Sequence, residues 1–390
     1  MEKNIGKKNN YECSGCGICK SICPKKAIHM QKDQSNFKFP IIDEEKCIGC
    51  TLCVQKCGFT NEKSNVDEKE CYALYSNDKN ILLNSASGGV FTSIAKRIIE
   101  DGGVVCGAAF TRKNSRIFVE HIIVDKEEDL TKIQGSKYVQ SDLTDVLDEL
   151  EKYLKSGIKV LFSGTPCQVS SIKKVYGKKY ENLYTIDIIC HGVPNIDLLQ
   201  DYVEYIEKKK NIKIEKIKFR DKKNGWMLNG TIDATKKGKK LKIIFSNKTS
   251  SYYYFFQNGY FYRDSCYNCC FANDHRVGDI TIGDYWGVDI EHPEIKSNEG
   301  VSCLIINSNK GKKLFDENEK YLTYFKTKFK KIQRNNSQLN FPTKKPDDMD
   351  YIFNKYLKDG YSVIEKKFVV KVGIIQLIKQ KIKYWLKNRM

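Results

Sequence analysis

The chain has 390 residues, 41% of them hydrophobic, which is enough for one large domain or for two to three ordinary domains with buried cores. Sixteen residues are Cys, and 67 Lys and Arg against 48 Asp and Glu give a formal net charge of +19. These values exclude a disordered protein and a small secreted disulfide scaffold. The N-terminus is polar and no run of about 18 apolar residues occurs, so we expect no secretory signal, no transmembrane helix, and a cytoplasmic protein with reduced thiols.

Eight cysteines form two quartets, each with the spacing C-x2-C-x2-C-x3-C. The first quartet is Cys13, Cys16, Cys19 and Cys23, and the second is Cys47, Cys50, Cys53 and Cys57. In this bacterial ferredoxin run three thiolates of one loop hold a [4Fe–4S] cluster, and the fourth ligates the other cluster. The spacing therefore predicts one cluster on Cys13, Cys16, Cys19 and Cys57, and a second on Cys47, Cys50, Cys53 and Cys23. Zinc sites more often use separated C-x2-C pairs, which disfavours zinc.

Residues 1–65 are therefore predicted to form an α+β ferredoxin-like domain with two clusters. Residues 27–30 and 39–43 have the pattern of short strands around a polar turn, and we expect the fourth Cys of each quartet to start a short helix. Gly58 stands where the ferredoxin run usually has proline. A polar linker is predicted at 61–70.

From residue 71 the pattern alternates between helices and short apolar strands, which predicts an α/β core over 71–310. The predicted helices are 90–100, 143–155 and 197–210, and the predicted strands are 103–110, 121–125, 159–163 and 184–190. None of the common nucleotide-binding fingerprints occurs. The segment 85–89 (SASGG) directly precedes a predicted helix, so its amides suit a phosphate, although a Ser N-cap with a Gly turn explains it equally well.

The remaining cysteines are also patterned. Cys167 and Cys190 each follow a predicted strand, at the edge where α/β sheets place their sites, and Cys266 and Cys269 form a C-x2-C pair. These four residues are candidates for a third cluster. The alternative is that Cys167 and Cys190 are buried small hydrophobes. Cys270 competes with Cys269 for the fourth position.

Taken together, seven segments resemble the coenzyme F420 hydrogenase/dehydrogenase beta-subunit family. They are SASGGVFTSIA (85–95), GGVVCGAAF (102–110), GSKYVQS (135–141), VLFSGTPCQ (160–168), IDIICHGVP (186–194), FRDKKNGW (219–226) and RDSCYNCCFANDHRVGDITIGDYWG (263–287). The resemblance implies an iron–sulfur flavoprotein that binds FAD and carries a cluster in its core, which supports the third cluster. Arg220, Asp221, Arg276, Asp279 and Asp284 match family positions without an assigned role, and for most of them structural ion pairs are expected.

The resemblance also marks candidate site residues. Two segments become candidates for binding the flavin, namely Ser85, Ser87, Gly88 and Gly89, and Gly135, Ser136, Lys137 and Tyr138. A lysine beside the flavin stabilises the anionic reduced ring, so Lys137 is a catalytic candidate. His121 and His191 are candidate proton donors, against the alternative that each is structural.

The third predicted region, 311–390, is a basic extension that ends in an amphipathic helix. Residues 310–390 contain 21 Lys and Arg against 8 Asp and Glu. An apolar stripe at helical spacing is interspersed with lysines, and it consists of Ile374 or Ile375, Ile378, Ile382 and Trp385. The helix either packs on the core or on a partner, or docks on an anionic membrane at its inner face. Nucleic acid is not expected, because no recognition fold accompanies the charge.

Two functions fit these features. The first is an oxidoreductase that takes electrons from reduced ferredoxin or from a reduced coenzyme, F420 being one candidate, and reduces a small or glycan-linked substrate through FAD and [4Fe–4S] clusters. The second is an electron-transfer subunit of a larger complex, with no final substrate of its own.

Overall fold

The computed structural model describes residues 4–59, 69–114, 116–226, 228–295 and 299–387. Apart from its last two positions, the predicted linker at 61–70 lies outside the described residues. Within them no helix is long and apolar enough to cross a membrane.

The N-terminal part contains the predicted strand pair. Strand β1 (Ile28–Lys32) runs antiparallel to β2 (Lys38–Ile42), with Ile28 opposite Ile42. The two short helices are α1 (Ile18–Ser21) and α2 (Leu52–Gln55). Each helix ends two residues before the fourth Cys of its quartet, so our expectation that this Cys starts the helix is wrong. Each helix instead contains the third Cys of its quartet, which is Cys19 in α1 and Cys53 in α2.

In the described residues an eight-stranded mixed sheet forms the centre of the molecule. Its strands are β3 (Cys71–Ser76), β4 (Val104–Lys113), β5 (Arg116–Val124), β6 (Val160–Gly164), β7 (Leu183–Ile188), β11 (Ile280–Asp284), β12 (Ser302–Ile306) and β13 (Leu322–Thr327). Their order is β13-β3-β12-β11-β7-β6-β4-β5. The four inner strands β11, β7, β6 and β4 are parallel, and antiparallel strands flank them on both sides. The predicted α/β alternation is confirmed.

Helical periodicity explains how helices pack on this sheet. Val90, Ile94 and Ile98 recur every four residues in α4 (Val90–Glu100) and are all buried, which reproduces the predicted helix. Helix α6 (Leu147–Lys155) begins four residues later than predicted. Asp142 accepts hydrogen bonds from the amide and hydroxyl of Thr144 and holds a turn there instead. The helices up to the second sheet are α3 (Lys79–Asn84), α4 (Val90–Glu100), α5 (Leu130–Ile133), α6 (Leu147–Lys155), α7 (Pro166–Ile172) and α8 (Ile196–Lys210).

A second, three-stranded antiparallel sheet packs in a core rich in aromatic residues. Its strands are β8 (Lys213–Lys218), β9 (Asn229–Lys236) and β10 (Lys239–Ser246), in the order β10-β9-β8. The remaining helices are α9 (Ser251–Gln257), α10 (Asp264–Tyr267), α11 (Val288–Glu291), α12 (Asn309–Asp316), α13 (Phe329–Arg334), α14 (Met349–Asp359), α15 (Ser362–Val372) and α16 (Ile374–Lys387).

The predicted boundary at residue 310 does not separate two structural units. Strand β13 pairs with β3 in the large sheet, and Ile352 and Phe368 are buried in the aromatic core. Most apolar residues of this region face the core, and the high lysine content obscured that pattern in the sequence. Only α16 retains the character of an exposed extension.

Asp279 joins strand β7 to the helical segment after α7 and to the start of α12. Its carboxylate accepts hydrogen bonds from the Thr185 amide at 2.8 Å and hydroxyl at 2.7 Å, from Ser308 Oγ at 2.8 Å, and from Lys173 Nζ at 3.2 Å. The residue is 4% exposed. Its role is therefore structural, as expected for most of the charged residues whose role the sequence left unassigned.

We expect Asp279→Ala to lower the free energy of unfolding by about 3 kcal/mol, because buried donors lose a charged acceptor. Urea denaturation of the purified protein measures the change. The control is Asp316→Ala, which removes an exposed i,i+4 pair with Lys312 and should cost less than about 0.5 kcal/mol. Equal effects of the two substitutions would contradict the structural role of Asp279.

Candidate functional site

The candidate site is built on the carboxyl ends of β6 and β7, which lie side by side. These strands are parallel neighbours, with Gly164 opposite Asp187. The chain leaves β6 into α7, which carries Cys167 in its first turn, and it leaves β7 toward Cys190. The two cysteines therefore follow adjacent strand ends, as the sequence predicted.

Four thiols meet at this edge. Burial raises the pKa of the Cys167 thiol well above its usual range, and the neighbouring thiols of Cys269, Cys190 and Cys266 raise it further. Burial likewise raises the pKa of Cys190 to about 12, with Cys269 as the next contributor. Thiols raise one another's pKa only when they are close together, so residues from three separate segments form one group. We call Cys167, Cys190, Cys266 and Cys269 the core tetrad.

Cys269 and Cys270 have different neighbours. Cys269 is one of the main groups that raise the pKa of Cys167, and Cys270 is not among those main groups. After burial and Cys269, the charged groups that act on Cys270 are Lys8 and Cys57 of the ferredoxin-like part. Cys270 therefore lies between two groups of thiols, and Cys269 belongs to the core tetrad.

The first predicted ferredoxin set is also brought together. Burial raises the pKa of Cys19, and the thiols of Cys16, Cys13 and Cys57 add to the increase in that order. The Gly15 amide donates to Cys13 Sγ at 3.4 Å, which is the amide-to-sulfur contact expected of a cluster loop. We call Cys13, Cys16, Cys19 and Cys57 the proximal tetrad, because it includes the Cys57 that neighbours Cys270.

The second predicted set lines a single concavity at the other end of the ferredoxin-like part. All four of its cysteines contribute to the lining together with Asn4 and Ile48. The Ala27 amide donates to Cys23 Sγ at 3.3 Å. Cys50 is exposed, so this group reaches the molecular surface. We call it the distal tetrad, and its members are Cys23, Cys47, Cys50 and Cys53.

The donor sets fit clusters better than single ions. In the part of the chain that the structure describes, no three His, Cys, Asp or Glu side chains are placed to hold one metal ion. An iron–sulfur cube spaces its four thiolates more widely than a single ion does, and each tetrad supplies four sulfur donors as a cube requires. Thiols are poor ligands until they are deprotonated, and bound iron replaces the proton.

The two candidate flavin segments lie beside each other. Gln134 Nε2 donates to Ser85 Oγ at 2.9 Å, which joins the loop before α4 to the loop that carries Gly135, Ser136, Lys137 and Tyr138. The Lys137 ammonium donates to the carbonyl oxygens of Gln134 at 2.9 Å and Gly135 at 3.2 Å. Burial lowers the pKa of Lys137 to about 7, and Lys216 lowers it as well.

Part of the Gly-rich segment has a packing role. Ser87 Oγ donates to the Val301 carbonyl at 3.0 Å, and the Gly88 amide donates to Ser302 Oγ at 2.9 Å. A side chain at Gly88 would collide with the β3 backbone. The N-cap of α4 is Gly89, with a φ of 83°, so the alternative of a serine N-cap does not hold. No side chain caps this helix, and its first amides remain suited to an anion.

The two candidate histidines differ. His121 is buried in β5, its Nε2 lies 3.0 Å from the Ser163 carbonyl oxygen, and its ring stacks on Phe162. Burial lowers the pKa of His121 to about 4, so the ring is neutral and enclosed, which argues against a role as proton donor. His191 lies after β7 at the carboxyl edge of the sheet, and its side chain is exposed. Partial removal from water by the surrounding protein lowers its pKa, and the nearby Asp284 carboxylate opposes this shift.

Sequence reasoning did not find the cluster of side chains around Asp284. Asp284 accepts from Arg220 Nη1 at 2.8 Å and from Trp226 Nε1 at 3.3 Å. The rings of Trp226 and Trp286 are parallel with centroids 5.5 Å apart, and the Arg220 guanidinium lies over Trp286. The motif FRDKKNGW contained this signal, but its partners are about 60 residues further along the chain and the sequence alone did not pair them.

Comparison with known proteins agrees with this architecture. A "4Fe-4S dicluster domain" matches residues 12–61. Two family models describe the beta subunit of coenzyme F420 hydrogenase/dehydrogenase: the model of its N-terminal part matches residues 71–148, and the model of its C-terminal part matches residues 157–328. The fold and these matches define an iron–sulfur protein related to oxidoreductases. The chain belongs to the coenzyme F420 hydrogenase/dehydrogenase beta-subunit family.

Two relatives extend over most of the chain. The F subunit of the F(420)H(2) dehydrogenase of Methanosarcina mazei is 24% identical over 322 residues, which cover 78% of this chain and 81% of that protein. The coenzyme F420-dependent sulfite reductase of Methanocaldococcus jannaschii is 25% identical over 325 residues, which cover 77% of this chain. This chain spans only 45% of that reductase.

Among solved structures, a chain of the F420-reducing [NiFe] hydrogenase complex from Methanosarcina barkeri is 17% identical, with a TM-score of 0.44. The match covers 78% of this chain and 94% of that chain.

If the core tetrad holds the third cluster that the sequence predicts, Cys269→Ser should remove about a third of the bound iron, because one of three predicted four-iron clusters would lose a ligand. Cys270→Ser should retain all of the iron. Iron and sulfide analysis of the two anaerobically purified variants measures the difference. The reverse pattern, with iron lost only in Cys270→Ser, would contradict the ligand set drawn from the structure.

Proposed function

We propose that this protein is an iron–sulfur flavoprotein oxidoreductase, which takes up single electrons at the distal tetrad and delivers them to a substrate at the carboxyl edge of the large sheet. The observation that carries this proposal is the succession of three thiol tetrads. Cys57 of the proximal tetrad and Cys269 of the core tetrad both act on Cys270, and Cys53 of the distal tetrad acts on Cys19 of the proximal tetrad, which supports the order distal, proximal, core.

FAD is proposed at the carboxyl edge beside the core tetrad. When bound, a flavin exchanges two electrons with a substrate and single electrons with iron–sulfur clusters. The uncapped start of α4 and the loop with Gly135 and Ser136 supply backbone amides for a phosphate. Lys137 supplies a cation for the ring, and Tyr138 is fixed by stacking on Phe256 with centroids 4.4 Å apart.

The electron donor is proposed to be reduced ferredoxin or a reduced coenzyme such as F420, and the acceptor a small or glycan-linked substrate. The similarity to one component of a dehydrogenase supports a second candidate, in which the chain passes electrons within a larger complex and has no final substrate of its own.

Anaerobic purification followed by analysis of iron, sulfide and flavin tests the proposal. We expect one FAD per chain, and bleaching of its visible band on addition of either reduced ferredoxin or reduced F420. Reoxidation of the isolated protein by a small or glycan-linked acceptor supports the enzyme, whereas reoxidation only after a partner protein is added supports the electron-transfer component. Protein that contains clusters but no flavin would overturn the flavoprotein assignment.

The low pKa of Lys137 predicts a pH-dependent effect on the flavin. Because this pKa is about 7, the side chain is charged at pH 6 and largely neutral at pH 8.5. Lys137→Ala should therefore lower the flavin reduction potential at pH 6 and leave it unchanged at pH 8.5. Lys137→Arg stays charged and should raise the potential at pH 8.5 relative to the unsubstituted protein. Spectroelectrochemical titration at both pH values measures this, and a Lys137→Ala effect that is equal at the two values would contradict it.

We also propose that α16 contacts an anionic membrane surface. The predicted apolar stripe does not pack on the core: Ile374, Ile378 and Ile382 are more than half exposed, and among the side chains of α16 that the structure describes Leu377 alone is buried. Val370 extends the stripe into α15 and is 78% exposed. Lysines flank the stripe and no acidic residue occurs in α16, which matches an anionic surface better than an apolar protein groove. The side chain of Trp385 lies outside the described residues.

Co-sedimentation with lipid vesicles tests the membrane contact. The protein should bind vesicles that contain phosphatidylglycerol, bind less to pure phosphatidylcholine vesicles, and dissociate at high salt. The triple variant Ile374→Gln, Ile378→Gln, Ile382→Gln should lose binding, and Phe341→Gln, which changes an equally exposed residue elsewhere, should not. Equal sedimentation with and without vesicles would refute the contact.

A further inference from the structure

Arg263 lies at the junction between the ferredoxin-like part and the core. It is 1% exposed, and its side chain is the largest of those that are fully buried among the described residues. Its guanidinium donates three hydrogen bonds: Nε to the Cys13 carbonyl at 2.8 Å, Nη2 to the Lys38 carbonyl at 2.6 Å, and Nη1 to Gln140 Oε1 at 3.3 Å. All three acceptors are neutral oxygens, so the positive charge is not neutralised by these contacts.

The ferredoxin-like part surrounds the guanidinium on several sides. The group lies over the ring of Phe39, 4.1 Å from its centroid, and 5.1 Å from that of Phe37. Such contacts favour a buried cation. Gly15 closes the pocket: its φ is +64°, and a Cβ there would lie 2.6 Å from Arg263 Nη1. The cluster loop and strand β2 are thus shaped around this one side chain.

The core holds the backbone of the same residue. The Arg263 amide donates to the Val193 carbonyl at 3.0 Å, and the Cys266 amide donates to the Arg263 carbonyl at 2.8 Å. Gln140 adds a second link, because its Nε2 donates to the Ser14 carbonyl at 3.0 Å. Arg263 is therefore fixed by the loop that follows Cys190 and by the helix that carries Cys266, while its side chain reaches the loop of Cys13.

The charge of Arg263 acts on both groups of thiols. The groups that interact with it electrostatically are Cys13, Cys266, Asp33 and Cys167, in decreasing order. Cys13 belongs to the proximal tetrad, and Cys266 and Cys167 belong to the core tetrad. A cation that is out of contact with solvent acts more strongly on nearby charges than one on the surface.

We propose that Arg263 is a positioning residue that holds the proximal tetrad against the core tetrad and raises the reduction potentials of both sites. A nearby positive charge favours the more negative, reduced state of a cluster. This assignment makes the proximal tetrad the internal neighbour of the core and leaves the distal tetrad, with exposed Cys50, as the outward-facing site. It rests on the proposed function, since it requires both tetrads to hold clusters.

The test uses full-length protein with its clusters assembled anaerobically. Iron and sulfide are counted first, and the cluster potentials are then measured by titration monitored by electron paramagnetic resonance. In Arg263→Gln two of the three potentials should become more negative and the third should stay unchanged. Arg263→Lys keeps the charge but loses the planar fork, so its potentials should shift less. In both variants, amide hydrogen exchange of the Cys13 loop and β2 should become faster.

Arg97→Gln is the matched control, because Arg97 is a surface residue of α4 that pairs with Glu100 and Asp101. It should change neither the potentials nor the exchange rates. An Arg263→Gln protein with full iron content and unchanged potentials would overturn the inference. If Arg263→Gln assembles no clusters, the Arg263→Lys variant is measured in its place. Amide exchange of its Cys13 loop at the rate of the unsubstituted protein would overturn the inference. Only two clusters in the unsubstituted protein would overturn the proposed function itself, and the inference with it.

Discussion

The parallel pairing of β6 with β7 is the constraint on which the site depends. Because parallel strands end at the same edge of a sheet, the segments that follow them, with Cys167 and Cys190, lie close together. The third segment consists of α10, which contains Cys266, and the turn after it, which contains Cys269. It is held at this edge by the hydrogen bond that the Arg263 amide donates to the Val193 carbonyl. Because the sheet fixes two of these three segments, the positions of the core tetrad are set by the sheet rather than by flexible loops.

The ferredoxin-like part packs directly against this edge of the core. Ser170 Oγ in α7 donates to the Gly58 carbonyl at 2.7 Å, and a Cβ at position 58 would lie 2.5 Å from Ser171 Cα. This packing explains why glycine stands where a ferredoxin run usually has proline. The helix that carries Cys167 thus contacts the residue next to Cys57, and the core and proximal tetrads are held together by the packing of α7 on Gly58 as well as by Arg263.

Local patterns predicted the features that depend on short spacing. The two quartets, the strand pair between them, helix α4 and the α/β alternation follow from residue periodicity within about ten positions. Contacts across long stretches were not predictable in this way. The choice of Cys269 over Cys270 depends on which thiol the chain after α10 directs toward β6 and β7. The contacts of Arg263 and Asp284 depend on partners far away in the sequence. The apolar pattern of β13 and α14 was hard to recognise in the sequence, because lysines stand beside their buried residues.

The central claim is that a third cluster occupies the core tetrad. Its most direct test is the spin count of the fully reduced, anaerobically purified protein by electron paramagnetic resonance, together with its iron content. Three [4Fe–4S] clusters predict about three unpaired spins and about twelve iron atoms per chain. About two spins and eight iron atoms, in protein whose distal and proximal sites are filled, would contradict the account.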